Sequence, residues 1–189
     1  MAERRRLALR RREQTPPREL RVALAGNPNV GKSSLFNQLT GGQQHVANWP
    51  GKTVERHTGT HRDGDVTLIV DDLPGTYSLS AASPEELVAE EVLTSEGLDV
   101  VAVVLDSTHL ERNLYLAAQL AELGVPLVVV LNMVDAATAD GFVIDDERLS
   151  TSLGAPVVRT VARDGEGIEE LVAALIAVGS DAHVPAGDR

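Results

Sequence analysis

The chain has 189 residues, 43% hydrophobic and 24% charged, which suffices for one domain with a substantial core. It contains no cysteine, which excludes a disulfide framework, thiol catalysis and a cysteine metal centre, and fits a reducing compartment. The net charge of −11 is uneven: eight arginines against three glutamates give residues 1–21 a charge of +5 and leave −16 for the rest, a poor nucleic-acid surface, so no nucleic-acid partner is expected.

In chain order, MAERRRLALRRREQTPPREL (1–20) reads as a basic, disordered, solvated arm that could touch RNA or anionic lipid. No apolar run follows its arginines, so it is not a secretory signal. LRVALAG (20–26) is an apolar run ending in glycine, hence strand then turn. KSSLFNQLTG (32–41) has helical spacing and stops at a glycine pair. Residues 43–55 have no period and read as a loop. RDGD (62–65) is a turn signal between TVERHTGTH and VTLIVDD, which predicts an antiparallel hairpin. Ser83, Pro84 and Glu86 write a helix start: cap, first-turn proline and capping box. A strand over 99–106, an amphipathic helix over 111–124 and a strand over 126–132 follow. A short helix over 145–154, a strand over 156–160 and a helix over 167–179 complete the series, and 179–189 reads as a linker or tail. The apolar runs at 100–105 and 125–131 fall far short of the roughly 18 residues that span a bilayer and read as strands buried on both faces. The alternation predicts an α/β fold with a mostly parallel sheet and helices on both faces.

Three motifs carry chemistry. GNPNVGKS (26–33) fits G-x-x-x-x-G-K-[ST] between a strand and a helix, the context that a phosphate loop needs. Small residues let backbone N–H groups wrap phosphates at a helix N-terminus, Lys32 can reach the β- and γ-phosphates, and Ser33 offers a hydroxyl to Mg²⁺. The competing reading is a glycine turn with no ligand. Asn27 reads as structural, its side chain bonding nearby backbone and tolerating an unusual dihedral. DDLPG (71–75) supplies D-x-x-G through Asp72 and Gly75, with Asp71 a rival by register alone. LNMVD (131–135) is N-x-x-D at a strand end. Asp135 can accept two hydrogen bonds from guanine, which adenine cannot supply, and Met133 can cover the base with a flexible apolar stem. The plainer alternative is an ordinary strand terminus.

These residues, in this order, resemble the G domain of the FeoB family of bacterial ferrous-iron transport proteins, which are TRAFAC-type GTPases. The resemblance covers 21–178 and is most specific in GNPNVGKSSLFNQLTG, NWPGKTVE, DLPGTYSLS, RNLYLAAQLAELGVPLVVVLNMVD and GEGIEEL. It implies a Ras-like P-loop GTPase fold, a mostly parallel six-stranded sheet with one antiparallel edge strand. It implies that Asn27, Asn29, Val30, Gly31, Lys32, Ser33 and Ser34 surround the phosphates, and that Ser33, Thr53 and Asp72 hold Mg²⁺. Asp72 and Gly75 would form the second switch. Asn132, Met133 and Asp135 would hold guanine, with Val161 and Ala162 in the base loop and the Ala162 N–H directed to the base oxygen. Val161 stands where the family usually has serine, which removes a hydroxyl contact and keeps a backbone one.

Thr76 stands where many Ras-like GTPases place a glutamine that orients the attacking water, so hydrolysis is expected to be slow. Asn29 falls where the resembling family carries an asparagine that helps bind K⁺. A cation there would stabilise charge developing between the β- and γ-phosphates, and no arginine beyond Arg56 is evident in either switch. Carbonyls near Ala47 and Trp49 would complete the K⁺ shell, Ala47 replacing a frequent glycine. The catalytic set implied is Asn29, Lys32, Thr53 and Gly75. The alternative for Asn29 is a local backbone bond.

His57 and His61 would share a face of a regular strand and read as structural or solvent-facing, with an iron-sensing site as the sharper alternative. Trp49 fits a core position and a mobile switch equally. The function implied is a GTP-binding, slowly hydrolysing, K⁺-stimulated switch on the cytoplasmic face of the membrane. It would be coupled to a ferrous-iron permease, covalently in a longer chain or as a separate subunit, and would meet the membrane only through that permease. Two alternatives stand beside it. A soluble potassium-dependent ribosome-assembly GTPase is favoured by the basic arm and disfavoured by NWPG and DLPGTYSL. A non-hydrolysing module that senses GTP against GDP is permitted by the missing glutamine.

Overall fold

Strand alternation in this chain separates two apolar faces of one sheet. The computed structural model describes residues 18–80, 83–95 and 97–182; most of the basic arm and the end of the tail lie outside them. Among the described residues seven strands form one sheet: β1 (Arg18–Gly26), β2 (Gln44–Asn48), β3 (Glu55–Asp63), β4 (Val66–Asp72), β5 (Val100–Asp106), β6 (Leu127–Asn132) and β7 (Val157–Arg159). Their order is β2-β3-β4-β1-β5-β6-β7; β3 is antiparallel to both neighbours and all other pairs are parallel.

The helices are α1 (Lys32–Thr40), α2 (Pro84–Leu93), α3 (Leu110–Glu122), α4 (Val134–Ala139), α5 (Asp146–Leu153) and α6 (Ile168–Ala182). Leu20, Val22 and Leu24 of β1 pack with α1 and α6, through Leu35, Phe36, Leu171 and Leu175. Ala23 and Ala25 point the other way, toward α2 and α3, through Val88, Ala89, Leu116 and Leu120. β5 and β6 are buried almost throughout, as parallel strands covered on both faces must be.

The capping signals produce their helices. The Ser83 side chain accepts the Glu86 N–H, and Asp145 accepts the Arg148 N–H. Three expectations are corrected. The sheet has seven strands rather than six, because residues 44–48 of the expected loop pair with β3. All five are exposed, so no burial period marks them; the open edge of β3 creates the strand. β3 is therefore an inner strand rather than the edge. α4 follows Met133 directly, and α6 continues past Gly179 to Ala182, the glycine packing closely beneath Leu20 and Val100.

The parallel strands deliver their C-terminal ends to one side: Gly26, Asp72, Asp106 and Asn132. In open α/β sheets this is the side on which ligands bind.

Candidate nucleotide-binding site

The loop between β1 and α1 lines a cleft of about 490 Å³ with Asn27, Pro28, Asn29, Gly31, Lys32, Ser33 and Ser34; Gly75 and Met133 complete the wall. Gly31 has φ +85°, and a Cβ there would lie 2.2 Å from Asn132 Nδ2, so only glycine fits both the turn and the approach. Among the described residues no side chain caps α1, which leaves its first N–H groups available to an anion. Gly75 lies against Pro28, where a Cβ would come within 3.1 Å, and the Thr76 N–H donates to the Gly26 carbonyl at 3.2 Å. The D-x-x-G segment is thus packed onto the phosphate loop.

Lys32 is buried at the foot of the cleft. Its ammonium donates to Asp72 Oδ1 and to the Leu73 carbonyl. The two aspartates have different partners: Asp72 bonds Lys32, which lines the cleft, while Asp71, one residue earlier, points to the other face and is held by Arg56 and Thr58.

Asn27 departs from expectation. It is 3% exposed, and among the described residues neither its Nδ2 nor its Oδ1 has a hydrogen-bond partner, so it does not bond nearby backbone. The left-handed dihedral belongs to Asn29 instead, at φ +67°, with its residue exposed on the cleft. The physical reason is the turn: position 29 reverses the chain, whereas Asn27 comes directly after β1 and is buried in the cleft wall.

Asn132 joins the phosphate loop to the base loop rather than reaching outward. Its Nδ2 donates to the Val30 carbonyl at 2.9 Å; its Oδ1 accepts the Ala162 N–H at 2.9 Å and the Thr160 hydroxyl at 3.2 Å. The Ala162 N–H, expected to face the base, is therefore directed at Asn132. Val161 is buried, and its N–H donates to the Glu166 carbonyl at 3.1 Å, closing the loop. Asp135 is exposed and accepts from Arg163 Nη2 at 2.8 Å. Arg163 also binds Asp164, and that pairing lowers the pKa of Asp164.

Thr53 is exposed in the loop before β3 and does not line the cleft. Trp49 lies in that loop and in this state occupies a core position, 7% exposed and packed in the α2–α3 core. His61 Nδ1 donates to the Leu39 carbonyl at 2.7 Å, and His57 Nδ1 to Gln44 Oε1 at 3.1 Å. Sequence reasoning missed Thr160 and Arg163, which no motif spacing marks, and the Arg56–Asp71 pair, which depends on the register of β3 against β4.

Residues 20–175 match the family model described as Ferrous iron transport protein B. The chain belongs to this family. It is 49% identical over 160 residues to the Fe(2+) transport protein A/Fe(2+) transporter FeoB fusion protein of Porphyromonas gingivalis, covering 84% of this chain and 19% of that one. It is therefore about a fifth the length of such relatives. Among solved structures it resembles a GDP-bound mutant of S. thermophilus NFeoB, with TM-score 0.79 and 47% identity over 85% of this chain and 63% of the other. It also resembles the G domain of the T. maritima FeoB iron transporter, with TM-score 0.78 and 42% identity over 85% of this chain and 98% of that one.

Proposed function

We propose that this domain binds GTP with Mg²⁺, hydrolyses it slowly with the help of K⁺, and reports the GTP or GDP state to a ferrous-iron permease at the cytoplasmic face of the membrane. The observation that carries the reading is the cleft itself. It unites the phosphate loop, Lys32, Ser33 and Gly75 with Met133, and Asn132 ties it to the loop beside Asp135. The GDP held by the S. thermophilus neighbour supports the same ligand class here.

The donor set fits the ions proposed. Ser33 lines the cleft, and Asp72 is bonded to Lys32 of the same wall; hydroxyl and carboxylate oxygens suit Mg²⁺, and Thr53 would join from its loop. Mg²⁺ would neutralise phosphate charge. The side-chain oxygen of Asn29 suits K⁺, which would stabilise charge developing at the phosphates. The Trp49 carbonyl accepts the Lys52 N–H at 3.0 Å, and Ala47 sits in β2 opposite Arg56, so their carbonyls would serve K⁺ only after that loop rearranges. Thr76 is buried with its N–H held by Gly26, which supports slow chemistry in place of a glutamine-positioned water.

Single-turnover GTP hydrolysis in KCl and in NaCl at equal ionic strength tests this reading. Wild type is expected to turn over several-fold faster in K⁺, and Asn29→Ala to lose the preference. Equal rates would remove K⁺ from the account. No turnover in either salt, with GTP bound, would favour the sensing module.

A further inference from the structure

The loop that carries Thr53 is fixed from a direction that no GTPase motif describes. In β4, Asp71 and Asp72 point to opposite faces of the sheet. Asp72 takes Lys32. Asp71, 3% exposed, takes a fork of two bonds from Arg56: Nε to Oδ1 and Nη2 to Oδ2, both 2.9 Å. The Thr58 hydroxyl adds a 2.6 Å bond, and Arg21 Nη2 stands 3.5 Å away.

The same guanidinium lies 4.7 Å from the centre of the Trp49 ring. One flat, half-buried cation therefore joins a buried carboxylate in the sheet to a buried aromatic ring in the loop. Lysine cannot make both contacts, because it has neither the planar fork nor the stacking face. Among the described residues the indole Nε1 of Trp49, buried, has no hydrogen-bond partner, so no polar bond from the ring secures it; the Arg56 stack and the apolar packing of the α2–α3 core do.

Trp49 in turn sets the loop that follows. Its N–H donates to the Val54 carbonyl at 2.9 Å, and its carbonyl accepts the Lys52 N–H at 3.0 Å. The 49–54 turn thus hangs from a clamped residue, and Thr53 within it is exposed and outside the phosphate cleft.

We propose that Arg56 is a positioning residue for the GTPase cycle: bound to Asp71 and stacked on Trp49, it holds the 49–54 turn in the resting position. Thr53 then reaches the nucleotide only when that stack opens. This rests on the GTP reading above. Arg56 touches no phosphate in this role; it acts through Trp49. The cost of opening the clamp falls on the state that engages Thr53 and not on the GDP state, so the clamp biases the domain toward GDP.

Trp49 is the only tryptophan, so its emission reports the clamp directly. The test compares wild type, Arg56→Gln, Arg56→Lys and Asp71→Asn. Nucleotide-free emission and acrylamide quenching are measured first, then the affinity for a non-hydrolysable GTP analogue relative to GDP. Far-ultraviolet circular dichroism checks that each variant is folded. Red-shifted, more easily quenched emission is expected in Arg56→Gln and Asp71→Asn, with Arg56→Lys intermediate. The analogue-to-GDP affinity ratio should rise about tenfold in Arg56→Gln, the scale of a lost stack and charged fork. Unchanged emission in both folded variants would overturn the clamp. Altered emission with an unchanged ratio would reduce Arg56 to a structural residue. If wild type binds no guanine nucleotide, the GTP reading fails, while the emission comparison still decides whether Arg56 holds Trp49. Asp71→Asn is the second route should Arg56→Gln not fold.

Discussion

The Asn132 side chain donates to the Val30 carbonyl at 2.9 Å, binding the end of β6 to the phosphate loop, and the same side chain accepts the Ala162 N–H from the base loop. The two loops proposed to hold opposite ends of one nucleotide therefore share a buried amide. Asn132→Ala would strand the Ala162 N–H and remove the partner of Val30. A loss of about 2–4 kcal/mol in urea unfolding is expected, together with weaker GDP binding. A wild-type midpoint would show that the loops are held independently.

Lys32 offers a second prediction. In Lys32→Ala the phosphate site loses a full positive charge and Asp72 loses its ammonium partner. GTP affinity should fall at least a hundredfold, about 2.7 kcal/mol, because charge-assisted hydrogen bonds are the strong ones. The nucleotide-free protein should also melt lower, since breaking a buried pair leaves an uncompensated charge. Near-normal GTP affinity by titration would show that the cleft is not the phosphate site.

Most of the architecture was legible because local signals and burial agreed. Gly26, Gly31 and Lys32 wrote the phosphate loop, and continuous apolar runs wrote β5 and β6. What escaped depended on partners distant in sequence. β2 has no buried face, so only the edge of β3 reveals it. Asp71 and Asp72 are chemically identical in the sequence; the pleat alone assigns one to Lys32 and the other to Arg56. Asn132 looked like a base reader, and its role as a tie between loops emerged only once Thr160 and Ala162 were brought beside it. Asn27 was legible as a loop residue, but its lack of partners was not.

Asp106 sets an acid limit. Burial pushes its carboxyl pKa up, but hydrogen bonds from the Thr108 side chain and backbone and from His109, with the charge of His109, more than offset this and hold it below 3.8. A carboxyl depressed in the folded state contributes stability above its unfolded pKa and loses it as pH falls through the folded value. The stability gap between wild type and Asp106→Asn should therefore be full well above pH 3.8 and close below it. Thermal melts across that range check the sign; a gap that widens on acidification would contradict it.

Nucleotide selectivity at Asp135 tests the central claim most directly. In this structure Asp135 accepts from Arg163 at 2.8 Å, so a guanine must take that carboxylate over from an exposed ion pair. Fluorescent GDP, XDP and ADP should be titrated against wild type and Asp135→Asn under one set of salt conditions. Wild type is expected to bind GDP far more tightly than ADP, because the guanine N1–H and exocyclic NH₂ give the carboxylate two donors that adenine cannot supply in exchange for Arg163. Asp135→Asn should lose GDP and gain XDP, whose exocyclic oxygen accepts from the new amide. Wild-type protein that binds ADP as tightly as GDP would contradict the assignment of this chain as a guanine-nucleotide switch.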